Sequence, residues 1–137
     1  MGEAGLTSTI RGQLQEFGAV SGLPVKLEVE GEERKVPIAV GSSLYRIAQE
    51  ALANVYRHAE ASAIDVHLAF GEASVCLEIR DDGRGFSVDS GQPASGAGRG
   101  LRNIYHRTGE LGGEVDISSV PGKGTAVRVT VPTGSRG

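Results

Sequence analysis

The 137-residue chain has no tryptophan, a single cysteine and only 4% aromatic residues. With Cys76 alone, neither a disulfide framework nor a cysteine-rich metal site can form within one chain, which fits a reducing compartment. The scarcity of aromatics leaves the core to Leu, Ile and Val. No apolar run approaches the roughly 20 residues that cross a bilayer, and no basic stretch followed by an apolar one opens the chain. A cytoplasmic location without membrane contact is therefore expected. Positive charge is not in surplus either: the formal net charge is -3, against broad nucleic-acid binding. Several nucleotide and metal signatures are missing as well. Gly122-Lys123 is followed by Gly124, so there is no P-loop, and no G-x-G-x-x-G follows a strand. No H-E-x-x-H or Cys/His cluster suggests zinc.

What is present is glycine, 21 residues of it, clustered in Gly83 to Gly100 and Gly112 to Gly124. The length suits one domain with a real core. Leu6, Ile10, Leu14 and Phe17 predict an amphipathic helix ending near Gly22-Leu23-Pro24. Val25, Leu27 and Val29 alternate with charged residues as a strand, and 31–37 is a charged connector. A second helix is expected from Ser42 or Ser43, either one a suitable N-cap, to about His58. Its apolar stripe is Leu44, Ile47, Ala48, Ala51, Leu52, Val55 and Ala59. Ile64, Val66, Leu68 and Phe70, then Val75, Leu77 and Ile79, read as a hairpin. Residues 87–98 are Ser/Gly-rich without apolar period, a mobile loop by composition. Leu101, Ile104, Tyr105, Thr108 and Leu111 predict a third helix stopped by Gly112-Gly113. Val115, Ile117, Val127, Val129 and Val131 give a final hairpin. One-faced strands and matching helices imply a two-layer α/β sandwich.

Four segments could carry chemistry. Asp81-Asp82-Gly83-Arg84-Gly85-Phe86 places a carboxylate and two glycines at the end of a strand. A carboxylate there can accept a hydrogen bond from an amine while glycine permits close approach; an ordinary turn uses the same residues. Glu50, Asn54, Arg57 and His58 share one face of the second helix, bordering its apolar stripe. The amide oxygen of Asn suits a hard cation such as Mg²⁺, and Arg57 or His58 could meet phosphate oxygens; a solvated helix face has the same composition. Gly98-Arg99-Gly100-Leu101 opens the third helix, where free backbone amides favour an anion. Gly122-Lys123-Gly124-Thr125 fits a hairpin turn, or a hydroxyl supporting a ligand beside Asp81.

Taken in order, Q-E-A-L-A-N-V-Y-R-H-A (49–59), D-D-G-R-G-F (81–86), G-R-G-L (98–101) and G-K-G-T (122–125) resemble the N, G1, G2 and GT motifs of one family. That family is the ATP-binding catalytic domain of bacterial two-component sensor histidine kinases. The phrasing around these motifs is most similar to the subfamily paired with helix-turn-helix response regulators, and the resemblance covers about residues 23 to 133. It implies a Bergerat-type ATPase fold, a mixed sheet covered on one face by about three helices, with ATP and Mg²⁺ as cofactors. By position, Asn54 would be the Mg²⁺ ligand, and Glu50 the catalytic group assisting phosphoryl transfer. Arg57, His58 and Arg99 would lie near the phosphates. Asp81 would accept from the adenine amine, Gly83 and Gly85 would admit the nucleotide, Gly98, Gly100 and Leu101 would hinge a lid, and Thr125 would stand behind Asp81.

The family's phosphoacceptor histidine is followed by an acidic residue. His58, His67 and His106 are followed by Ala59, Leu68 and Arg107. The expected organisation is thus 1–22 as a connecting helix from a dimerisation segment, 23–133 as the catalytic domain and 134–137 as a tail. The expected partners are a histidine-bearing dimerisation domain of the parent kinase and a cognate response regulator in signal transduction, the parent being open to membrane anchoring. An anti-sigma-factor serine kinase of the same fold is the alternative, and a nucleotide-binding module without catalysis is a third reading.

Overall fold

The computed structural model describes residues 5–56, 63–83, 97–120 and 124–133. In chain order the elements are α1 (Leu6–Ser21), β1 (Val25–Glu30), α2 (Ile38–Asn54), β2 (Ile64–Phe70), β3 (Ser74–Asp81), α3 (Ala97–Glu110), β4 (Glu114–Val120) and β5 (Gly124–Pro132). The sheet order is β1-β2-β3-β5-β4. β1 runs parallel to β2 and every other neighbouring pair is antiparallel. The result is the expected two-layer α/β sandwich with a mixed sheet.

Side-chain alternation decides which face of the sheet is covered. Ile64, Val66, Leu68, Val75, Leu77, Ile79, Val127, Val129 and Val131 are buried on one face, with Leu44, Ile47, Ala48, Ala51 and Leu52 of α2 and Ile104 of α3 in the same core. The opposite face carries a cross-strand row, Glu28–His67–Glu78–Arg128–Asp116, set by the register of all five strands. Such a row of mixed charges suits a solvated face. His67 lies there, with Nε2 2.9 Å from Glu30 Oε1.

α1 belongs to this core. Leu6, Ile10 and Leu14 are buried within it, and Gln13 Nε2 donates to the Tyr45 carbonyl of α2 (2.9 Å). Phe17 meets Tyr56 edge to face with centroids 6.4 Å apart. The N-cap, Gly5, has no side chain to offer the helix's unpaired amides. Glu33, from the connector, accepts from the Thr7 N–H instead (3.2 Å), a charge placement that the helix dipole favours. The helix stops where expected: Gly22, at φ 79°, is in the left-handed region and donates its N–H to Gly18 O (2.8 Å).

Two boundaries differ from expectation: α3 begins at Ala97, inside the expected 87–98 loop, whose remaining residues lie outside the described ones, and α2 starts early. α2 begins at Ile38 with Pro37 as N-cap, and no side chain caps it. Ser42 and Ser43 therefore lie inside the helix. Pro costs nothing at a helix start, where its missing N–H would have no intrahelical partner. Val40, buried with Leu44 and Ile47, extends the apolar stripe one turn upstream. Ala59 and the expected end near His58 lie outside the described residues.

Candidate functional site

The helix-facing residues of β3 end in a carboxylate. Asp81 continues the row Val75, Leu77, Ile79 and is only 6% exposed. Register places it opposite Ile64 of β2 on one side and Thr125 of β5 on the other. Its Oδ1 accepts from the Gly83 N–H at 2.8 Å, a local Asx-type turn that fixes the side chain. Burial pushes the Asp81 carboxyl above its ordinary value of 3.8; the Gly83 N–H opposes this, Asp82 adds to it and the Thr125 N–H opposes it. Among the described residues no cation pairs with it. A buried carboxylate without a counter-ion at the rim of a sheet is a binding-site signal.

The adjacent Asp82 has different surroundings. It is exposed, and its Oδ1 accepts from the Ala63 N–H at 3.1 Å. That bond ties the segment entering β2 to the end of β3. Because β2 follows α2 in the chain, the C-terminal half of α2 and the end of β3 lie toward the same end of the sandwich.

Thr125 stands in a hydroxyl pair. Its Oγ1 is 2.9 Å from Ser119 Oγ of β4, and Ser119 Oγ donates to the Gly124 carbonyl at 3.2 Å. Ser119, Thr125 and Asp81 are therefore successive members of one row across β4, β5 and β3. Gly124 makes that row possible. At φ 97° it occupies a conformation that L side chains rarely adopt, and a Cβ there would collide with the Asp81 carbonyl. Any other residue would force β5 away from Asp81.

On the helices, Glu50 and Asn54 are both half-buried, one turn apart on α2. Glu50 Oε2 accepts from Asn103 Nδ2 of α3 at 3.3 Å, so the two helices meet through this polar contact as well as through Ile104. Gly98, Arg99, Gly100 and Leu101 form part of the first turns of α3, upstream of Asn103. Arg57, His58 and Gly85 lie outside the described residues. Among the described residues no group of three His, Cys, Asp or Glu could cage a metal. Glu50 and Asn54 instead offer a carboxylate and an amide one turn apart. That donor set fits a Mg²⁺ ion that keeps most of its ligands as water or phosphate oxygens.

The structure thus joins Asp81, Gly83 and Thr125 in one place and Glu50 with the start of α3 in another. Three participants were missed in the sequence. Ser119 acts through the register of the β4–β5 hairpin and Asn103 through the docking of α3 on α2, and neither is reported by the local hydrophobic pattern. Gly124 could be found as the glycine that starts a strand opposite a carboxylate, but only once that pairing is known.

The profile of the histidine kinase-, DNA gyrase B- and HSP90-like ATPase family matches residues 39–135. The chain is 37% identical over 109 residues to the sensor histidine kinase LiaS of Bacillus subtilis, a match covering 80% of this chain and 29% of LiaS. It is 36% identical over 110 residues to the sensor protein VraS of Staphylococcus aureus (strain COL), covering 80% and 31%. The chain therefore spans under a third of the length of these relatives. Among solved structures, it resembles the histidine kinase domain of the Erythrobacter litoralis EL346 blue-light activated histidine kinase. The TM-score is 0.76 over 94% of this chain and 61% of the other, at 22% identity. At that identity the likeness concerns the fold.

Proposed function

This chain belongs to the histidine kinase-, DNA gyrase B- and HSP90-like ATPase family, and from that premise we propose that it is the ATP-binding catalytic domain of a two-component sensor histidine kinase. In this reading it holds Mg²⁺-ATP and presents the γ-phosphate to a histidine on a separate dimerisation helix. A cognate response regulator then receives the phosphoryl group. The observation that carries the reading is Asp81, a buried carboxylate without a counter-ion among the described residues, aligned with Thr125 at the rim of the helix-covered face.

Each residue has a task that its surroundings support. Ionised Asp81 accepts from the exocyclic amine of adenine, which guanine replaces by a carbonyl. The Gly83 N–H, already bonded to Asp81 Oδ1, fixes the carboxylate plane before the base arrives. Asn54 would hold Mg²⁺ through its amide oxygen. The ion, when bound, neutralises charge on the phosphates and orients them. Glu50, steadied by Asn103, accepts a proton from the attacking imidazole. The first turn of α3, with Gly98, Arg99, Gly100 and Leu101, supplies backbone N–H groups and the positive end of a helix dipole to the phosphates. Arg57, His58 and Gly85 complete the set by position in the sequence. No helix among the described residues is long and apolar enough to cross a membrane; the relatives' names as sensors make an anchored parent protein part of the proposal.

The test is phosphoryl transfer in trans. The chain is incubated with Mg²⁺ and γ-labelled ATP, with and without a histidine-bearing dimerisation fragment of the parent kinase. The expected result is acid-labile label on the fragment and none on the chain alone. Acid-stable label would indicate a serine kinase, and robust self-labelling would contradict the absence of a phosphoacceptor here.

A further inference from the structure

Resting on the reading of Glu50 as the proton acceptor and Asn54 as the metal ligand, we propose that Asn103 is a positioning residue for phosphoryl transfer. It draws the Glu50 carboxylate toward α3 and so keeps it from taking the amide of Asn54, which leaves the two groups available for two separate tasks.

Helix geometry alone favours the competing contact. Residues four apart lie one above the other on a helix face, and each Cα–Cβ bond tilts toward the N-terminus, so Asn54 leans back over Glu50. Hydrogen bonds between an amide and a carboxylate at this spacing stabilise isolated helices. The folded protein makes a different choice. Glu50 Oε2 accepts from Asn103 Nδ2 of α3 at 3.3 Å, and among the described residues Glu50 has no hydrogen bond to Asn54. A carboxylate only accepts, so Asn103 must present its NH₂ to Glu50.

This contact decides what Glu50 and Asn54 have left to offer. Both are half-buried, where a lost partner is costly to leave unreplaced. Without the Asn103 donor, the Asn54 NH₂ is the nearest replacement on the same helix. That bond would occupy a carboxylate oxygen and, because an amide is planar, would also dictate where the Asn54 oxygen points. With Asn103 in place, Glu50 keeps Oε1 for a proton and Asn54 keeps its oxygen for a cation. The partners are 53 positions apart, so the arrangement exists only when α3 is docked on α2, as Ile104 docks it in the core. Asn103 touches neither nucleotide nor metal; it acts through Glu50.

The test begins without nucleotide. The chain has only two asparagines, Asn54 and Asn103, so their side-chain amides are readily followed by NMR in the isotope-labelled protein. In Asn103→Ala the Asn54 amide resonances should move beyond the spread of Gln13 and Gln15 on α1, because Glu50 turns to Asn54. In a Glu50→Ala background the same substitution should leave them in place. Asn103→Leu, which has no donor, should behave as Asn103→Ala; both replacements favour helix more than asparagine does, so α3 is retained. In the trans-transfer assay at saturating Mg²⁺-ATP, either variant should lower kcat about tenfold or more, as expected for misplacing one catalytic group. KM for ATP should stay within about twofold of wild type, since the contact serves the transition state and not nucleotide binding.

Asn54 resonances that stay in place in Asn103→Ala overturn the proposal whatever the rate. Movement that persists in the Glu50→Ala background overturns the route through Glu50. A raised KM with unchanged kcat marks a merely structural role in nucleotide binding and overturns it as well. Glu50→Gln that transfers at the wild-type rate overturns instead the reading of Glu50 as proton acceptor, on which the catalytic half of the proposal rests.

Discussion

Replacing Gly124 by alanine should damage fold and site together, because the added methyl has nowhere to go. At φ 97° an L residue is strained whatever the space around it, which costs about 1–2 kcal/mol. The Cβ would also overlap the carbonyl of Asp81 and crowd the Cα of Asp82. These are backbone atoms, so relief requires β3 and β5 to part; overpacking of this kind costs about 1–3 kcal/mol. Together the loss is about 2–5 kcal/mol, out of the roughly 5–15 kcal/mol that stabilises a typical domain. For a chain of this size that corresponds to a fall in Tm of roughly 6–20 °C. The parting strands also carry Asp81 and Thr125, so nucleotide affinity should drop even at temperatures where the variant is fully folded. Urea unfolding followed by circular dichroism, paired with ATP titration, reads both effects. Gly12→Ala is the matched control. It sits on the exposed side of α1 with nothing within 4 Å of the added carbon, and should stabilise by about 0.5–1 kcal/mol. If Gly124→Ala costs less than about 1 kcal/mol and binds ATP normally, the close approach of β5 to Asp81 is wrong.

Ile10→Ala should cost about 2–5 kcal/mol in urea unfolding, because Ile10 is fully buried between α1 and the rest of the core. A loss below about 1 kcal/mol would mean that α1 is a detachable connector. The pH dependence of ATP binding follows from Asp81. Burial raises its pKa in the folded protein above the ordinary 3.8, so the folded state takes up its proton at higher pH than the unfolded chain. Its contribution to stability is present below the ordinary value and is lost as pH rises through the folded value, where a charge must be held buried. Binding through the ionised carboxylate runs the other way: affinity should fall as pH is lowered through that same window, above pH 3.8, and Asp81→Asn should lack this component. Identical profiles for the two proteins between about pH 4 and pH 7 would contradict it.

Much of this fold is legible in the residue pattern, because a buried face repeats locally. Leu6, Ile10 and Leu14 mark α1, and the alternation from Ile64 to Phe70 and from Val75 to Ile79 marks the central strands. The start of α2 departs from the sequence expectation because two serines advertise an N-cap while Pro37, which opens the helix, carries no side-chain cap. Its position was nonetheless readable from Val40, a buried residue one turn before Leu44. The site divides along the same line. Asp81 and Gly83 are neighbours in sequence, so their turn is visible there. The contacts of Glu50 with Asn103 and of Ser119 with Thr125 depend on how elements dock, and the first spans 53 positions. Gly124 looked like one of several hairpin glycines until the register set it against Asp81.

The central claim is that Asp81 reads the adenine amine, and Asp81→Asn tests it with little disturbance. Asparagine keeps an oxygen for the Gly83 N–H, so the turn survives, while the charge is lost and a donor can face the amine. A hydrogen bond to a charged acceptor contributes about 1.5–3 kcal/mol. Calorimetric titration with Mg²⁺-ATP at neutral pH should therefore show binding weakened about ten- to a hundredfold, with the unfolding midpoint of the free protein unchanged or raised. ATP affinity equal to wild type in a folded Asp81→Asn protein would contradict the account.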